Sequence, residues 1–434
     1  MHSFRYRDGR LYCEDVDLER VAENFGTPTY VYSAGTILDH YTRLDAALAP
    51  LDHLICYAVK ANPNRAILKL LADAGAGFDI VSGGELFRVL AAGPAGAGAK
   101  CTFAGVGKSP EEIEYALEQR VYSFNIESQS ELECIDRIAS ASSLRAPVAL
   151  RVNPDVNPHT HEYIATGSRE NKFGIALDNI ASVYERAAKM RNIDIAGVQM
   201  HIGSQITKAA PFATAIRKMV PIVRDLKSKY GIRFFSIGGG MGIIYRRALE
   251  SGSGKWWHDH SGESSAFSIR DYASAIMLPL RDLDIRILVE PGRFLVGNAG
   301  VLLTRVLYIK QSGAKKFVIV DAGMNDLIRP ALYHSYHEIV PCRGSVSDAM
   351  ERIDIVGPVC ESGDFFALNR EMPELHQGNL LAIMSAGAYG FAMASNYNSR
   401  PLPAEVLVRG DKFALIRKRQ AWQDLMREEL HANW

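Results

Sequence analysis

One theme repeats through residues 36–297: a short apolar strand, a turn containing Gly or Asn, then a helical stretch. Eight strands fit it: Leu54–Val59, Gly77–Val81, Lys100–Ala104, Val121–Ile126, Pro147–Val152, Ile195–His201, Arg233–Ile237 and Ile285–Glu290. Helix-period segments fill the intervals, such as Pro110–Gln119 and Ser128–Ser140. Ser109-Pro110-Glu111-Glu112 reads as an N-cap followed by Pro at the first helical position. Continuous apolar strands alternating with helices indicate a parallel sheet buried on both faces. Eight such units over this span match a (β/α)8 TIM-type barrel, typically about 250 residues. An open doubly wound sheet is the competing architecture.

The remainder of the 434 residues differs. Residues 298–434 carry strand-like runs (Val301–Lys310, Phe317–Asp321, Arg352–Val356, Asn379–Met384, Glu405–Arg409, Lys412–Ile416) with few helical intervals, the pattern of a β-rich second domain. Residues 1–35 contain Arg10–Cys13 and Thr29–Tyr32 and are expected to join it. Gly93–Ala99 and the polar stretch Arg246–Ser265 read as loops.

Composition removes several function classes. Lys plus Arg is 49 and Asp plus Glu is 49, with no basic run, so a nucleic-acid partner is not expected. The six cysteines form no CxxC pair, which argues against a disulfide framework and a zinc site. Residues 1–8 are charged and lack the apolar core of a signal peptide. No apolar run approaches the roughly 18 residues of a membrane span. The expectation is a cytoplasmic protein with reduced thiols and no membrane partner.

Catalytic groups in a barrel come from the C-terminal ends of its strands. The first strand ends Tyr57-Ala58-Val59-Lys60-Ala61-Asn62. An isolated lysine there ordinarily snorkels to solvent; held at low dielectric, it can form a Schiff base with a carbonyl. The seventh ends at Gly238-Gly239-Gly240 and the eighth at Glu290-Pro291-Gly292-Arg293. A glycine run alone is only a flexible turn, but phosphate sites in barrels often lie after strands seven and eight. The sixth ends His201-Ile202-Gly203-Ser204-Gln205, placing a flat ring and a hydroxyl at the same mouth. Lysine, phosphate cradle and carboxylate together describe a site for pyridoxal 5'-phosphate, whose ring nitrogen stays protonated beside an acid such as Glu290.

At these residues the chain resembles the fold-type III pyridoxal-phosphate decarboxylases, and within them the diaminopimelate decarboxylase family. The resemblance also includes Phe78-Asp79 with Ser82–Glu85, Glu170–Gly174, Asp321–Asn325, Gly357–Glu361 and Gly387-Ala388-Tyr389. It implies an alanine-racemase-like barrel plus a β-domain that includes the N-terminal strand. It also implies that Lys60 is the Schiff-base residue and that His201 stacks on the cofactor. Asp79, Ser204, Gly238, Gly239, Gly240, Gly292, Arg293 and Tyr389 would be further cofactor contacts, and Glu290 the pyridine partner. Cys360 resembles the cysteine that, contributed by a neighbouring subunit, returns a proton after CO2 leaves. An ordinary thiol, mostly protonated at neutral pH, suits that task.

The substrate implied is meso-2,6-diaminopimelate, decarboxylated to L-lysine in the last step of lysine biosynthesis. Arg329 and Tyr333 match that family's pattern, in which arginine meets a distal carboxylate through a charge-assisted bond; a plain surface arginine is the bland reading. Glu361 would hold the distal ammonium, and Arg293 and Tyr389 would also touch substrate. The resemblance further implies a homodimer with shared sites. Two other readings stand beside this one: a decarboxylase of ornithine, arginine or a carboxylated polyamine, and a non-catalytic cofactor-binding homologue. The stretch Tyr245–Phe267 is longer than the corresponding family loop. Its His258 and His260, like His159 and His161, have no third ligand in the sequence, so solvated loops are expected rather than metal.

Overall fold

The computed structural model describes residues 2–156, 172–260, 267–344, 349–432 and 434. The chain divides into two compact units, Leu38–Ile243 with Gly262–Leu295, and Met1–Ile37 with Ile244–Ser261 and Val296–Trp434.

The first unit is a closed parallel barrel. Its strands are β1 (His53–Ala58), β2 (Gly77–Ile80), β3 (Cys101–Phe103), β4 (Ser123–Ile126), β5 (Ala146–Asn153), β6 (Ile193–Met200), β7 (Phe234–Ser236) and β8 (Arg286–Val289). Each pairs in parallel with the next, and β8 closes on β1 through Ile287↔His53 and Val289↔Ile55. All eight expected strands are present, and closure excludes the open sheet. The helices start where the sequence signals them. Ser109 caps Pro110–Glu118 in a reciprocal capping box with Glu112, and Ser128 caps Gln129–Ala141. Cys56, Ala149, Ala196, Phe234 and Leu288 from five of the strands pack in one buried cluster, so the barrel is a packed core.

The second unit is β-rich. One sheet runs through Phe365–Pro373, Met350–Val356, Lys315–Val320, Gly300–Ser312, Thr29–Ser33, Ala404–Arg409 and Lys412–Arg417. Thr29–Ser33 pairs antiparallel with Gly300–Ser312 and parallel with Ala404–Arg409, which sews the N-terminal strand into the C-terminal sheet. Phe365–Pro373 escapes a period-2 reading, because its exposed Leu368-Asn369 and the register shifts against its partner break the alternation.

The expected loop at 246–265 differs from that reading over its described part. Ser253 caps a short helix, Gly254–Asp259, and Trp256 is buried with its ring stacked 4.4 Å from that of His260. Burying an indole outweighs the weak local helix signal. Residues His159, His161, Glu170 and Asn171 lie outside the described residues.

Candidate active site

Lys60 sits on a tight turn, Val59–Ala61, that caps the C-terminal end of β1. Register aligns Ala58 with Asp79 of β2, and the Lys60 Nζ donates to Asp79 Oδ2 at 2.5 Å. Asp79 is buried, and its Oδ1 has no hydrogen-bond partner among the described residues. Gly292 lets the loop after β8 pass beside this turn, since a Cβ there would press within 3.1 Å of the Ala58 and Ala61 methyls.

Glu290 follows β8 and is buried. Its Oε1 accepts from the Ser236 hydroxyl at 2.6 Å and its Oε2 from the Gln199 amide at 3.1 Å. Gln199 and Ser236 are register partners on β6 and β7, so both donors reach the acid from one side. Burial, with the Asp79 carboxylate nearby, pushes Glu290 up to about 7.

The Gly238–Gly240 turn is built for close backbone approach. Gly238 and Gly240 have φ of +71° and +105°. A Cβ on Gly238 would stand 2.4 Å from the Met200 carbonyl oxygen, and one on Gly239 would stand 2.1 Å from that of Glu290. No larger residue fits. The Gly239 N–H donates to His201 Nδ1 at 3.2 Å, so the ring after β6 is tied to the glycine turn after β7. Burial and the charges of Arg151 and Lys60 hold His201 well below the usual histidine range. Arg293, buried, donates through Nη2 to the Ser204 hydroxyl at 3.2 Å.

Lys60, Asp79, His201, Ser204, Gly238–Gly240, Glu290, Gly292 and Arg293 thus share one mouth of the barrel, at the C-terminal ends of β1, β2, β6, β7 and β8. The arrangement fits pyridoxal phosphate. An amine faces an acid, backbone N–H groups lie in a turn with no room for side chains, and a buried carboxyl retains acceptor capacity beyond its two donors. Gln199 and Ser236 are site residues that sequence reading passed over. Their only signal is a polar residue inside a buried strand.

The β-rich unit holds the other expected residues. Arg329 opens the short helix Arg329–Tyr333, is buried, and donates to the Ser335 hydroxyl at 3.2 Å. Its guanidinium lies 5.6 Å from the Tyr245 ring centre and 5.7 Å from that of Tyr333. Cys360 is exposed, with its N–H donating to Asn398 Oδ1. The neighbouring Glu361, also exposed, accepts from the Tyr397 hydroxyl at 2.9 Å. Tyr389 adopts a φ of +55°, a conformation that aromatic side chains rarely take. His258 and His260 join no group of three or more metal-ligating residues among those described. No described helix is long and apolar enough to cross a membrane.

Comparison with known proteins adds an independent line. Residues 34–297 match the family model described as the pyridoxal binding domain of pyridoxal-dependent decarboxylases. The chain is 49% identical to a diaminopimelate decarboxylase of Pseudomonas aeruginosa, over 98% of both chains. Among solved structures, diaminopimelate decarboxylase from Helicobacter pylori, complexed with L-lysine, superposes with a TM-score of 0.86 at 39% identity, covering 95% of this chain and 99% of that one. The enzyme of the same name from M. jannaschii, in co-complex with L-lysine, gives 0.89 at 36%, covering 99% and 98%.

Proposed function

Because the chain belongs to the diaminopimelate decarboxylase family of pyridoxal-dependent decarboxylases, we propose that its barrel mouth is where meso-2,6-diaminopimelate loses one carboxylate to give L-lysine and CO2. The observation that carries this reading is the convergence of Lys60 with Asp79, the Gly238–Gly240 turn and the buried Glu290 on one face.

Lys60 would hold the aldehyde carbon of the cofactor, His201 its ring face, and Ser204, the glycine turn and Arg293 its phosphate. Bound there, pyridoxal phosphate supplies an electron-accepting ring that stabilises the charge left at Cα when the carboxylate departs. Without cofactor, Asp79 holds the Lys60 amine in place at the mouth. Glu290, whose own proton affinity is raised by burial, is suited to share a proton with the ring nitrogen. Arg329 and Tyr333 would take the distal carboxylate and Glu361 the distal ammonium, and Arg293 and Tyr389 would also touch substrate. Cys360 would return the proton to Cα.

We take residues 36–297 as the cofactor-binding domain and 1–35 with 298–434 as the domain supplying substrate and interface groups. The active form in this proposal is a homodimer in which each site receives Cys360 and Glu361 from a second copy; the exposure of both residues supports it. Six free cysteines support a reducing, cytoplasmic setting.

The test is CO2 release from a panel of diaminopimelate, ornithine, arginine and a carboxylated polyamine. Diaminopimelate should be turned over fastest. Faster release from ornithine sinks the substrate assignment, and no release from any member sinks the decarboxylase reading.

A further inference from the structure

Beside the site runs a chain of buried charge that the reaction scheme leaves without a task. Arg151 on β5 is buried, and its Nη1 donates to Glu127 Oε1 at 2.8 Å. Glu127 Oε2 accepts from the Gly174 N–H at 2.8 Å, and the Arg151 guanidinium lies 4.7 Å from the centre of the Phe173 ring. Glu127 is fixed in turn: its own N–H donates to Glu131 Oε2, while Glu131 Oε1 pairs with Lys108 Nζ at 2.5 Å. Lys108 has no exposed side-chain surface and also donates to the carbonyls of Gly105 and Asn125. A buried ion pair is a poor source of net stability, so its presence asks for another reason.

Register supplies one. Arg151 aligns with Gln199 of β6, two residues before His201. The His201 Nδ1 accepts from the Gly239 N–H, which requires an unprotonated Nδ1 and leaves the neutral ring with its proton on Nε2. Protonation would set two N–H groups against each other, break this bond and disturb the glycine turn.

We propose that Arg151, clamped by Glu127, is a positioning residue that keeps the His201 ring neutral and so holds the Gly238–Gly240 turn in shape. The inference rests on the assignment of that turn and ring to the cofactor. The other charges around the site are Lys60, offset by Asp79 at 2.5 Å, Arg293 on the Ser204 hydroxyl, Glu85 and Glu290. Burial is the first cause that opposes a proton on His201, and the charges of Arg151 and then Lys60 add to it.

The test uses the full-length holoenzyme and its variants Arg151→Met, Arg151→Lys and Glu127→Gln. Two quantities are followed against pH: the His201 ring signal by NMR, assigned with His201→Asn, and release of bound pyridoxal phosphate. Arg151→Met removes the cation and leaves Glu127 with the Gly174 N–H. Its His201 midpoint should rise by about one pH unit or more, and acid-induced cofactor release should begin at correspondingly higher pH. Arg151→Lys keeps the charge and should titrate like wild type. Glu127→Gln keeps an acceptor but loses the offsetting charge, so its midpoint should stay at or below wild type. If Arg151→Met proves unfolded by thermal melt, Arg151→Gln carries the same expectation. An unchanged His201 midpoint in the folded neutral variant, or an equal rise in Arg151→Lys, overturns the proposal. Neither readout needs substrate, so failure of the CO2 panel is a separate outcome.

Discussion

The two units hold their candidate site groups in opposite ways. In the barrel, acids and bases near the mouth come in close, buried sets: Lys60 with Asp79, Glu290 with Ser236 and Gln199, Arg151 with Glu127. In the β-rich unit, Cys360 and Glu361 stand exposed on a turn, and Tyr389 takes a left-handed backbone. Arg329, by contrast, is buried, flanked by Tyr245 and Tyr333. Groups at the ends of barrel strands are pre-organised by their own chain before any ligand binds. Groups on exposed turns are not, and the proposed second copy is what would order them.

The largest effect should come from splitting the two sets. Lys60→Ala should release no CO2 and lose the borohydride-sensitive visible absorbance of bound cofactor, while Cys360→Ala should keep that absorbance and lose turnover. Mixed and refolded together, they should regain activity. Random re-pairing makes about half the dimers mixed, each with one doubly defective and one intact site, so about a quarter of sites should work. A mixture as inactive as its components would mean that Cys360 serves its own chain.

Glu290→Gln tests the pre-organised side. Losing a charged partner for the ring nitrogen should lower kcat roughly ten- to a hundredfold with little change in KM. A rise in KM alone would show that Glu290 only shapes the pocket. Arg329→Ala tests the other unit, and should raise KM for diaminopimelate about ten- to a hundredfold while cofactor affinity holds. An unaltered KM would remove Arg329 from the substrate.

The smallest effect is in stability, where the units should behave alike. Each contains a buried carboxyl pushed up to about 7: Glu290 in the barrel and Asp326 in the β-rich unit, the latter chiefly by burial. Between the ordinary carboxylate range and pH 7, the folded chain keeps protons that the unfolded chain has released. The stability these two carboxyls contribute should therefore be fullest below that range and decline as pH rises toward 7. Thermal melts of cofactor-free protein should show this slope, and Asp326→Asn should flatten it. A slope unchanged by Asp326→Asn would mean that this carboxyl ionises normally in the fold.

Much of this molecule is legible in the chain itself. The eight barrel strands, the Ser109 cap and the mouth residues follow from local rules, because in a parallel barrel each strand's C-terminal end is a chain-local position. Gln199, Ser236, Glu127 and Arg151 were not legible. Inside an apolar strand, a polar residue does not reveal which of its neighbours will satisfy it. The helix at Gly254–Asp259 stayed hidden for a related reason, since the indole of Trp256 gains its burial only from packing. Periodicity, caps and glycines were determined by the sequence alone, for they depend on residues a few positions apart. The packing of neighbouring strands into a curved sheet decided the rest: it brings side chains separated by 91 positions, Gln199 and Glu290, to one hydrogen bond, and sets the burial that raises an acid and lowers a histidine.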